Sequence, residues 1–360
     1  MVRVLAMGLG LLLAGCSSSA AQDVTAAPGS AAASGDSTKA SGVSSGVGTA
    51  AATAAPLGSG PGPASSAVAP RPTPKVLTPG RAAKLLFGNA DLSPPACGDE
   101  APAAIRCLIE ARYASDDLAK QAALRLYDET GSVAGVEVEQ SFDGGWRGEI
   151  HIVPELPVGP HRRHLLWTEA AFEDFGRFFA ELTQGASVPY DHEPLELLFF
   201  RSVNRTTPSA YASGWRVAYN VSGSLHGSAD AVRETLFHEI FHLNDRAHDN
   251  WSESALTEIH ADLLSRCSDK QRRPVTACLR PFAPSDTMVR NGTFYAFQPG
   301  NGVWEYAAEL ALRYYREHRL ALAQKPVPKR FKCGPEPNPE AWRKLVDEFF
   351  GGIDRVPPCD

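Results

Sequence analysis

Residues 233–245 read RETLFHEIFHLND. The stretch is first of all helical. Ser228 is placed to cap it, and Asp230 falls in the first turn, where an acid meets the positive end of the helix dipole. Val232, Leu236, Ile240 and Leu243 recur at helical spacing and form an apolar stripe suited to a core. His238 and His242 are four residues apart, so they stand on one face, one turn above the other. Two imidazoles so placed can reach a single metal ion at about 2.0–2.1 Å. Glu239 is rotated about 100° around the helix from His238. It would stand beside such an ion without ligating it, ready to take a proton from a bound water.

A metal that activates water needs a third protein ligand and one open position. Three residues are candidates. Glu305 lies near the start of NGVWEYAAELALRYYREH (301–318), and Glu309 is one turn further on the same face. The rest of that helix is small and apolar, so a carboxylate there needs a partner, and a metal would serve. Glu258 lies in TEIHADLL (257–264), with Asp262 one turn later. His248 follows His238 by ten residues in HEIFHLNDRAH. Tyr295, in GTFYAFQPG (292–300), precedes Glu305 by ten residues. His192 and His226 are lone histidines, and HRRH (161–164) reads as a solvated turn.

The remainder of the 360 residues sets the frame. The net charge of −6 shows no basic excess, which argues against nucleic acid as a partner. The start, MVRVLAMGLGLLLAGCSSS, has Arg3 and then an apolar run over 4–14. That run is too short for a permanent membrane span and reads as a signal peptide. Residues 16–78 are rich in Ala, Ser, Gly and Pro, too poor in large apolar side chains to fold. As a flexible linker they would span roughly 45 Å. The folded body is expected over 79–360. Apart from Cys16 there are six cysteines, with no C-x-x-C pair. An even number in an exported chain suggests disulfides, and sequential neighbours are favoured because each would close a short loop.

Helices are expected over 102–114, 115–129 (capped by Ser115), 165–184, the motif stretch, 253–267, 301–318 and 339–352. A hairpin is expected from 134–142 and 146–153, turning at Asp143-Gly144-Gly145, with further strands at 195–203 and 215–223. The class is therefore α+β: a small mixed sheet first, then a mostly helical half. No G-x-S-x-G elbow, phosphate loop or calcium loop is present.

Several stretches resemble known families. Leu13-Ala14-Gly15-Cys16 resembles the lipobox of bacterial lipoproteins. That implies cleavage before Cys16 and a lipid anchor there, in the cell envelope, and Ser17 is compatible with the outer membrane. The order of elements resembles the zincin fold, with 215–223 as the edge strand flanking a cleft above the HExxH helix. EYAAELA (305–311) resembles the second zinc motif of gluzincin metallopeptidases of the lethal-factor type, although the spacing between the two motifs is longer here. The resemblance covers only the two short motifs and their order. It implies Zn2+ on His238, His242 and Glu305, with Glu239 as general base. Tyr295 would help to stabilise the oxyanion, its offset from the motif being similar but not identical. Glu258 with Asp262 is similar instead to the thermolysin-like pattern. His248 is similar to the metzincin pattern, with Met288 as its methionine turn and Asp245 where that family has a glycine that turns the chain sharply; Asp tolerates the left-handed conformation better than most residues, though less well than Gly. The function implied is a lipid-anchored zinc metallopeptidase acting on a peptide or protein substrate. The alternative is a non-catalytic envelope lipoprotein that uses the same body for binding or structure.

Overall fold

The computed structural model describes residues 72–88, 92–143, 148–289 and 292–360. The expected signal peptide, Cys16, the linker up to residue 71 and the Gly144-Gly145 turn lie outside them. The described residues begin with three helices, α1 (Pro79–Phe87), α2 (Ala103–Arg112) and α3 (Asp117–Thr130). Strands β1 (Val133–Val136), β2 (Gln140–Asp143) and β3 (Glu149–Pro154) follow, then the long helix α4 (Arg162–Thr183). Next come β4 (Glu196–Ser202), β5 (Ala210–Ala212), β6 (Arg216–Asn220) and the motif helix α5 (Ala229–Ala247). The rest is helical: α6 (Trp251–Arg266), α7 (Thr276–Leu279), α8 (Val303–Leu322) and α9 (Asn338–Phe349). The class is mixed α+β, as the order of patterns implies.

The sheet is organised around β4, in the order β2-β3-β4-β6-β5. One edge of β4 pairs in parallel with β6. Its other edge is shared, by β1 in parallel over its first half and β3 antiparallel over its second. Leu197, Leu198, Phe199 and Phe200 are all buried, the unbroken apolar run of a strand covered on both faces.

Four expectations are corrected here. The strand expected over 134–142 is two strands with different partners, β1 on β4 and β2 on β3. Between them the Glu137 carboxylate accepts from the Val138 amide, an i to i+1 bond that competes with continued pairing. The stretch 215–223 is not the edge: β5 pairs outside it, antiparallel. Helix α3 is capped by Asp116, not Ser115. The Asp116 carboxylate accepts from the Ala119 amide and also holds the Gly159 amide and Arg162. Finally, HRRH is not a solvated turn. Helix α4 starts at Arg162, and His164 is buried with its Nδ1 2.9 Å from the Tyr219 hydroxyl.

Helix α5 is held from behind. Ser228 caps it, accepting from the Ala231 amide, and Val232, Leu236, Ile240 and Leu243 are all buried. Phe237 stacks on Tyr315 of α8 with ring centroids 4.3 Å apart and on Tyr190 at 5.4 Å, and meets Phe175 of α4 edge-on at 5.7 Å. This aromatic cluster ties α4, α5 and α8 into one frame. On α8, Ala307, Ala308 and Ala311 are fully buried, and side chains this small let neighbouring backbones approach closely. The three disulfides join Cys97–Cys107, Cys267–Cys278 and Cys333–Cys359, all sequential neighbours. Among the described residues no helix is long and apolar enough to cross a membrane.

Candidate metal centre

Helix α5 presents His238 and His242 toward the first turn of α8, where Glu305 lies. The His238 Nε2 is 3.1 Å from the His242 Nε2 and 3.1 Å from the Glu305 Oε2. The His242 Nε2 is 3.5 Å from the same oxygen. Three donors of a tetrahedral site with bonds of 2.0–2.1 Å stand about 3.3–3.4 Å apart, so this triangle has the size such an ion requires. Among the described residues, His238, His242 and Glu305 form a possible metal site of two histidines and one glutamate.

The orientation of His238 is set from its other nitrogen. Its Nδ1 lies 3.1 Å from the Glu309 Oε1, and the Ser285 hydroxyl donates to the second Glu309 oxygen. A carboxylate there keeps one ring proton on Nδ1, so Nε2 is the nitrogen offered to a metal ion. Glu309 → Ala should therefore weaken metal binding by about 10–100-fold. Competition with a chromophoric chelator reads this directly, and an unchanged affinity would deny Glu309 any orienting role.

The charges are strongly coupled. Burial disfavours the His238 cation, but the Glu305 and Glu309 carboxylates outweigh it and hold its pKa well above the ordinary value. Burial acts against the Glu305 anion as well, yet both histidines hold its pKa well below the usual carboxylate range. A site that is this anionic and lined by imidazole favours a bound cation.

No family model, curated protein or solved structure matches the chain. The chemistry is therefore read from the side chains themselves.

Glu239 is only partly buried and lines an open cleft of about 1450 Å3 beside His238. Burial raises its pKa against the opposing pull of His242 and His238. Tyr295 sits in a tight turn on the same cleft. Its ring is 6.0 Å from that of His238, and it lines the cleft. Burial, then the nearby carboxylates, push the Tyr295 pKa well up, so the hydroxyl stays protonated.

The other candidate ligands stand elsewhere. Glu258 is exposed on α6, and Asp262 is exposed and pairs with Arg266 at 2.5 Å. His248 does not return to the site, because α5 continues through Asp245 to Ala247. The Asp245 carboxylate instead accepts from the Ser252 amide and hydroxyl, both at 2.7 Å, at the start of α6. The left-handed residues fall later, at Asp249 and Asn250. The His248 ring is turned to α9, with Nδ1 2.5 Å from the Glu348 Oε1. Met288 lies on the cleft wall, 45% exposed. His192 stacks on Phe179 at 4.6 Å, and His226 on Tyr219 at 3.9 Å, so both are packing residues. Ser285 was not foreseen: it lies in an irregular segment with no period to mark it.

Proposed function

We propose that this chain is a zinc-dependent peptidase with a zincin-like body. The observation that carries this is one juxtaposition. Three ligand atoms converge from α5 and α8, while Glu239, the residue after the first histidine, faces the open cleft without joining them. Two imidazole nitrogens and one carboxylate oxygen at tetrahedral spacing are a donor set suited to zinc.

Held by His238, His242 and Glu305, Zn2+ would lower the pKa of water and polarise a carbonyl. The chain's own groups do the rest. Glu239, its pKa raised by burial, accepts the proton that water loses and delivers it to the departing amine. Tyr295, kept protonated, donates to the carbonyl oxygen as negative charge builds there. Glu309 and Ser285 hold His238 in the correct tautomer throughout. The cleft wall includes Ala210 at the start of β5, the outer strand of the sheet, where an extended peptide could add as a further strand. The strand-addition edge is thus β5 rather than the 215–223 stretch.

The LAGC stretch at 13–16 supports a lipid anchor on Cys16 in a bacterial cell envelope, with the Ala/Ser/Gly/Pro segment as its tether. The test is hydrolysis of a mixed, internally quenched peptide library by the zinc-loaded full chain. Time-dependent cleavage should stop on chelation and return with added zinc. Bound zinc with no cleavage of any peptide would replace the peptidase by a metal-bearing binding protein.

A further inference from the structure

Beyond His238 and Glu239 the cleft continues along the first turns of α5, where Ala231, Glu234 and Thr235 line it. On the facing side α8 contributes Glu309, Leu312 and Arg316, and Met288 walls the flank. On this lining the Arg316 Nε and Nη2 donate to the two Glu234 oxygens at 2.9 and 2.5 Å. The Arg316 and Glu234 side chains are 34% and 28% exposed, so a ligand in the cleft can reach both. A bidentate pair of this kind presents no net charge while it is closed.

We propose that the Glu234–Arg316 pair sets the charge selectivity of a substrate pocket next to the metal centre, admitting uncharged, mainly apolar side chains and turning away both acidic and basic ones. This rests on the peptidase reading. An acidic side chain entering here must compete with Glu234 for Arg316, in a cleft that Glu309 also lines. A basic side chain must compete with Arg316 for Glu234. An apolar side chain disturbs neither and covers Leu312, Ala231 and Met288. Selectivity here is enforced by repulsion from a charge already in place.

The experiment uses peptides identical except for Leu, Glu or Lys at one of the two residues flanking the scissile bond. Wild type should prefer Leu. Glu234 → Gln frees Arg316 and should raise the Glu-to-Leu ratio of kcat/KM by roughly tenfold. Arg316 → Gln should raise the Lys-to-Leu ratio by a similar factor. The pair also ties α5 to α8. If it were only a staple, each variant would change all three peptides alike, and that result overturns the proposal. Calorimetric binding of the same peptides to the chain carrying Glu239 → Gln reads the same ratios without turnover. Absence of hydrolysis therefore counts against the peptidase alone, whereas equal binding of the three peptides counts against the selector.

Discussion

Glu239 → Gln should lower kcat by about a thousandfold or more while leaving the metal in place. Glutamine keeps the size and polarity of the side chain but cannot accept a proton. Glu239 is not among the three groups whose donor atoms converge, so His238, His242 and Glu305 keep their geometry. The loss should fall on kcat with little change in KM, because the proton moves only as the reaction proceeds. A thousandfold corresponds to about 4 kcal/mol of barrier, within reach of one general base. Steady-state kinetics and metal content on the same preparation make the check. Activity within tenfold of wild type would remove Glu239 from the mechanism. Lost metal would mean that it acts on the ion rather than on the proton.

Phe237 → Ala should cost about 3–5 kcal/mol of folding stability. The ring is 1% exposed and touches Phe175, Tyr190 and Tyr315, from three separate parts of the chain. Truncation leaves a cavity where α4, α5 and α8 meet, and those helices are too firmly packed to collapse into it. Stability of a domain is only about 5–15 kcal/mol, so a large share would go. Because His238 is the next residue on α5, metal affinity should fall with it. Urea unfolding of the zinc-free chain isolates the packing effect from the metal's own stabilisation. A change below about 1 kcal/mol would show that the cluster does not carry the frame.

How much could be seen in advance followed from how local each signal is. The facing of His238, His242 and Glu239 depends only on helical spacing, and α5 has its predicted cap at Ser228 and its apolar stripe. Glu305 lies 67 residues from His238, beyond any period. A carboxylate on an apolar helix pointed to it, as did a short resemblance, and together these favoured it over Glu258 and His248. His248 fell away because α5 runs on past Asp245, whose carboxylate accepts from the Ser252 amide at the start of α6. Strand β5 is three residues long, too short for alternation to register, so β6 was taken as the edge. His164 looked exposed because its partner Tyr219 is 55 residues away. The disulfides were legible because sequential pairing closes the shortest loops.

Metal content by mass spectrometry tests the central claim most directly. The full chain, His238 → Ala, Glu305 → Ala and Glu258 → Ala would each be dialysed against trace zinc. About one zinc per chain is expected in wild type and in Glu258 → Ala, and none in the other two. A wild type that holds no zinc, or loss of zinc in Glu258 → Ala with retention in Glu305 → Ala, would contradict the site described above.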